Sequence, residues 1–87
     1  MSNESVVILD GARTPMGGLN GCLSPVSAPV LATTAIKAAV ERSGVDGADV
    51  DEVFMGCVLP AGLKQCPARQ SAIGAGIPKS TGAVSLN

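Results

Sequence analysis

Histidine, tyrosine and tryptophan are missing from this sequence, and a single phenylalanine is the whole aromatic complement of its 87 residues. Without histidine, the side chain best suited to take and return protons near neutral pH is unavailable. No Ser-His-Asp, Cys-His or paired-carboxylate arrangement can be drawn, so catalytic residues, cofactor-binding residues and metal ligands are all read as none. Cysteine is scarce and odd in number: Cys22, Cys57 and Cys66 form no CxxC pair. That count argues against a disulfide framework and, with no histidine, against a zinc site. A reducing compartment, the cytoplasm, is the simpler setting. Lysine and arginine total six, scattered against seven acidic residues, which leaves no basic face for nucleic acid or an anionic membrane. The polar opening, residues 1–5, runs straight into a four-residue apolar stretch, too brief for a signal peptide or a membrane span.

What is present is small and aliphatic. The chain is 46% hydrophobic, mostly through alanine and valine, which bury less surface per residue than leucine or phenylalanine. Such a composition suits close packing of helices on a sheet. Val6-Val7-Ile8-Leu9 is continuously apolar, as a strand buried on both faces reads. Residues 10–27, with Pro15, Gly17, Gly18, Asn20, Gly21 and Pro25, are predicted to be a long loop, and their glycines do not fit a GxGxxG fingerprint. A helix is expected from Ser27, which can cap free N–H groups, with Pro29 in its first turn and Gly44 at its end. Ala32, Ala35, Ile36, Ala39 and Val40 form its apolar stripe, with Thr33, Lys37 and Glu41 off it.

Residues 47–51 read as an acidic turn, and residues 53–59 as a second strand, apolar on both faces. Pro67 opens a second helix over residues 68–75, stopped by Gly76 and Pro78. A third strand is expected over residues 82–86. Strands alternating with helices imply right-handed crossovers and a parallel sheet. Two helices are too few to cover such a sheet, so the series looks unfinished, and further polypeptide is expected to complete it.

Individual side chains carry little chemistry. Cys66 precedes a helix start, where N–H groups and the helix dipole favour thiolate; the plainer reading is a small loop residue, and Cys57 reads as a buried small hydrophobe. Arg13, beyond the first strand, can bind a carboxylate or phosphate, though tying the loop through backbone carbonyls is the preferred reading. Arg69, a cation in a helical first turn, calls for an ion pair or subunit contact. Asp49, Asp51 and Glu52 lack the spacing of a calcium loop and read as a solvated turn.

Taken in order, these residues resemble a family. Val6-Val7-Ile8-Leu9-Asp10-Gly11-Ala12-Arg13-Thr14-Pro15-Met16-Gly17 is similar to the opening strand and Ala-Arg-Thr-Pro loop of thiolases. Ala35-Ile36-Lys37-Ala38-Ala39, Gly44-Val45, Asp51-Glu52-Val53, Met55-Gly56-Cys57-Val58-Leu59, Ala61-Gly62, Pro67-Ala68-Arg69-Gln70 and Ala75-Gly76-Ile77-Pro78 follow in register. The ordered set spans nearly the whole chain and is most like the acetyl-CoA acetyltransferase branch.

The resemblance implies an α/β fold: the start of a thiolase-like layered α/β/α/β/α architecture with a mostly parallel sheet, incomplete in this chain. Residues 1–87 would be a partial N-terminal domain of order β-loop-α-β-α-β. It implies an enzyme that joins two acetyl-CoA, or cleaves 3-ketoacyl-CoA with CoA, through a cysteine thioester. The coenzyme A thioester is substrate of the complete enzyme, and this segment binds no cofactor. Asn87 resembles the asparagine just ahead of the nucleophile, so the nucleophile would follow it and the isolated segment would be inactive. Cys66 and Cys57 stand where relatives commonly have asparagine. The family's dimer interface uses the third strand and neighbouring loops, which makes Gln65, Arg69 and Asn87, with Arg13, candidates for structural or interface roles. Implied partners are the remainder of the thiolase polypeptide and a second copy in a homodimer or homotetramer, with no nucleic acid and no membrane. A related ketoacyl synthase segment, a small partner-binding module and a redox module using Cys66 are the alternatives.

Overall fold

The computed structural model describes residues 5–87; apart from Ser5, the polar opening read as too short for a signal peptide lies outside the described residues. Helix α1 spans Ala28–Ser43, a 3-10 turn Gly47–Asp49, strand β1 Glu52–Gly56, helix α2 Pro67–Gly74 and strand β2 Gly82–Leu86. The strands pair in parallel, with Val53 opposite Ala83 and Met55 opposite Ser85. No helix among the described residues is long and apolar enough to cross a membrane.

The helix boundaries follow their end chemistry. Ser27 occupies the cap position of α1 but its hydroxyl accepts no helix N–H, and Pro29 sits in the first turn, where a missing N–H is harmless. Gly44 closes α1 at φ 74°, a left-handed conformation open to glycine at little cost, and its N–H reaches the Glu41 carbonyl. The acidic turn is capped by Asp46, whose carboxylate accepts the Ala48 N–H at 3.0 Å. Past Gly74, the Ile77 N–H returns to the Ala72 carbonyl at 3.0 Å, and Gly76 takes φ 89°.

Two expectations are corrected. Residues 6–9 form no strand: they make no ladder, and Val6 and Ile8 are almost fully exposed at 102% and 95%. Apolar character alone cannot hold a strand, because its N–H and C=O groups need a neighbouring strand to bond with. The sheet among the described residues therefore has two strands rather than three. The second strand also ends early, at Gly56 rather than residue 59, and Val58 and Leu59 are exposed.

Helix α2 joins everything else. It lies on both strands and packs against α1. The core is Val53, Ala72 and Ile77, with Ile36, Val50 and Ala83 against it. Ala68 and Ser71 are fully buried. Small residues let the two helices come close: a Cβ on Gly74 would lie 2.8 Å from the Thr33 hydroxyl oxygen and 3.1 Å from its methyl. Thr33, off the apolar stripe by periodicity, thus stands at the helix crossing. Its hydroxyl donates to the Pro29 carbonyl at 2.8 Å. The opposite sheet face, carrying Phe54, Val84 and Leu86, is open to solvent.

Thr33 is branched and pinned by its hydrogen bond, so it has little room to yield. Gly74→Ala is expected to lower stability by about 1–3 kcal/mol despite alanine's better helix propensity. Adding Thr33→Ala should recover most of that loss. Denaturant melts of the single and double variants, compared as a cycle, check the coupling.

Candidate functional site at the carboxyl end of the sheet

Parallel sheets present their chemistry beyond the carboxyl ends of the strands. Here that edge is formed by Leu86 and the chain leaving β1, joined by the Cys57 N–H donating to the Leu86 carbonyl at 2.6 Å. The amino end of α2 lies beside it. Cys66, at the cap position, has φ 37°, a left-handed conformation rare for a residue with a Cβ. Its side chain offers no cap in the usual sense. Instead Ser85, reaching across from β2, accepts the Ala68 N–H at 3.1 Å.

The Cys66 sulfur lies 3.6 Å from the Ser85 hydroxyl and 3.9 Å from the Ala83 carbonyl. As a thiol it can donate to that carbonyl; as a thiolate it can only accept. The thiol pKa is held below the ordinary cysteine value, first by the Ser85 hydroxyl, then by the Arg69 N–H; partial desolvation opposes these, and the Ala68 N–H and the Arg69 charge add to them. Cys66 is half-buried and Cys22 exposed. Cys57, expected to be buried, is half-exposed because its strand has already ended.

The loop before α2 is held by one side chain. Gln70 donates from its amide nitrogen to the carbonyls of Leu63 and Gln65, both at 2.7 Å. This fixes a stretch in which Gly62, Lys64 and Cys66 all have positive φ. A cleft of about 350 Å³ opens between that loop and the start of α1, lined by Pro29, Val30, Leu63, Lys64 and Gln70 among others.

Gln65 and Arg69 flank the start of α2, and both are exposed. Arg69 donates to the Lys79 carbonyl at 3.3 Å, a backbone tether behind the helix. Asn87 follows β2 directly and is exposed. Arg13 lines a different cleft of about 360 Å³ with Gly11, Ala12 and Arg42. There the tether to a loop carbonyl comes from Arg42, which donates to the Gly11 carbonyl at 3.4 Å. Sequence reasoning overlooked Ser85 and Gln70. For Ser85 a signal existed: it is the one polar residue of its strand and lies two positions from Ala83, on the face towards α2. Among the described residues no cluster of His, Cys, Asp or Glu is fit to hold a metal ion.

With this geometry in hand, comparison with known proteins is decisive. The sequence model of the thiolase N-terminal domain matches residues 6–87. The chain belongs to that family. It is 49% identical over its whole length to an acetyl-CoA acetyltransferase of Rhizobium meliloti, covering 22% of that protein. It is 51% identical over 97% of its length to a mitochondrial acetyl-CoA acetyltransferase of Xenopus tropicalis, covering 20% of it. Against a cytosolic acetyl-CoA acetyltransferase of Gibberella zeae it is 52% identical over 94% of its length, covering 21%. A thiolase of Ascaris suum, solved in complex with coenzyme A, superposes on 92% of the chain with a TM-score of 0.89 at 39% identity; 21% of that structure is covered. The chain thus spans about a fifth of the length of the relatives it matches.

Two outcomes follow from the site. Gln70→Ala removes both side-chain hydrogen bonds to the loop before α2; at about 1 kcal/mol each, amide exchange over residues 60–66 should quicken roughly tenfold or more while the strands stay protected. For Cys66, alkylation followed against pH should show a midpoint below the ordinary cysteine value, and Ser85→Ala should raise it. Because the folded pKa is depressed, the linked stabilisation is complete only above the unfolded thiol pKa. It is lost as pH falls through the folded value, so it is full only in alkaline solution.

Proposed function

We propose that this chain is the opening segment of an acetyl-CoA acetyltransferase. The observation that carries the reading is the pairing of a family match over residues 6–87 with about 50% identity to proteins of that name. In the complete enzyme a cysteine thiolate attacks the thioester carbonyl of acetyl-CoA, and CoA leaves as its thiol. A second acetyl-CoA loses an α-proton to a base, and the resulting carbanion attacks the enzyme thioester. The products are acetoacetyl-CoA and free enzyme thiolate; thiolysis is the reverse.

Within this segment no group is assigned to those steps. The nucleophile belongs to the polypeptide that follows β2, with Asn87 as its neighbour. The segment contributes a scaffold: two parallel strands, one face covered by α2 and one apolar face open. The remainder of the thiolase polypeptide is the partner that suits this open face, since parallel strands are ordinarily covered on both sides. Assembly as a homodimer or homotetramer, with Gln65, Arg69 and Asn87 near the contact, and a cytoplasmic setting complete the reading.

The full-length protein is expected to consume acetoacetyl-CoA and CoA to yield acetyl-CoA, while residues 1–87 alone should be inactive. Thiolysis assays on both, with product identified by mass spectrometry, test this. Activity confined to other acyl donors, or activity of the segment alone, would sink the assignment.

A further inference from the structure

Three tethers converge on the carboxyl end of β2. The Leu86 carbonyl accepts the Cys57 N–H, which joins it to the chain leaving β1. The Ser85 hydroxyl accepts the Ala68 N–H at 3.1 Å, which joins the strand to the first turn of α2. Facing Ser85 is the sulfur of Cys66 at 3.6 Å, carried on a backbone at φ 37°. That loop is held in place by the two 2.7 Å bonds from Gln70. A strained residue persists only where its surroundings over-determine it, and such residues gather at functional sites.

Covering a free helix N–H needs only an acceptor at the cap position. A serine or asparagine at residue 66 would serve, at lower strain and with no help from the sheet. Here the acceptor comes from the strand, one residue before its last. The bond therefore couples the position of α2 to the direction in which the chain leaves β2.

We propose that Ser85 is a positioning residue for the nucleophilic cysteine of the thiolase reaction, its hydroxyl fixing the exit of β2 against the first turn of α2. The proposal rests on the acetyl-CoA acetyltransferase reading, in which the nucleophile follows β2. Ser85 touches no reacting atom. It acts through the chain beyond Leu86, where a misplacement of about 1 Å can cost on the order of a hundredfold in rate.

The test uses the full-length enzyme and its Ser85→Ala and Ser85→Thr variants, with thiolysis rates expressed per active cysteine titrated by a single turnover. Ser85→Ala is expected to lower kcat about tenfold or more, with KM for acetoacetyl-CoA within about twofold. Ser85→Thr keeps the hydroxyl and should restore most of kcat. Wild-type rates per titrated cysteine in Ser85→Ala, even with a lower Tm, overturn the proposal and leave the thiolase reading standing. So does a loss seen only in KM, or a threonine variant as slow as the alanine one. An inactive wild-type enzyme overturns the thiolase reading itself, and the positioning role with it. Should Ser85→Ala not fold, Ser85→Cys, near-isosteric with a weaker acceptor, answers by the same comparison.

Discussion

Helix α2 has to touch both the sheet and α1 with only eight residues, and this double contact is the constraint on which the rest of the packing depends. Large side chains would push the layers apart. Ala68, Ser71 and Ala72 are buried instead, with Gly74 at the helix crossing. A buried serine would ordinarily be costly. Ser71 avoids the cost by donating to the Pro67 carbonyl at 2.7 Å, with the Pro29 carbonyl and the Met55 sulfur each at 3.4 Å. One hydroxyl thus sits where α1, α2 and β1 meet, and it satisfies itself locally while the neighbours pack around it.

The same economy of size shaped what the sequence disclosed. Both helices were legible because their ends carry unambiguous chemistry: proline in each first turn and glycine beyond each last. Strand β2 and the parallel pairing were legible because an apolar run following a helix has few other ways to pack. Residues 6–9 read as a strand and are not one in this chain, since apolarity reports what a segment would bury and not whether a partner strand is within reach. Thr33 shows the other kind of miss. A periodic stripe marks the face towards a generic core, but the actual neighbour is a helix crossing at one point, where a small β-branched residue can meet a glycine.

At the candidate site the sequence carried the family and not the geometry. Ordered motif fragments identified the thiolase N-terminal domain across residues 6–87, while the roles of the side chains that organise the sheet's edge could not be read from that ordering. Ser85 and Gln70 act across the fold, one from strand to helix and the other from helix to loop. Neither bond has a fixed spacing that a linear reading would detect. Cys66, by contrast, drew notice because a cysteine before a helix has a local reason to be acidic, and its thiol is acidic here for a partly non-local one: Ser85 is the first cause of the shift.

That order of causes bears on the place of Cys66 in the proposed reading, which assigns the reacting thiol to another cysteine. A nucleophile must be free to approach a carbonyl carbon, and its lone pairs must be available at the moment of attack. The Cys66 sulfur faces the Ser85 hydroxyl, which favours its thiolate, and the Ala83 carbonyl of the adjoining strand, which can be met only by the thiol. On the proposed reading, the cysteine at the start of α2 and the reacting cysteine assigned to the polypeptide after β2 share one edge of the sheet: the first is held against Ser85, and the second depends on the position of the strand that Ser85 ties to α2.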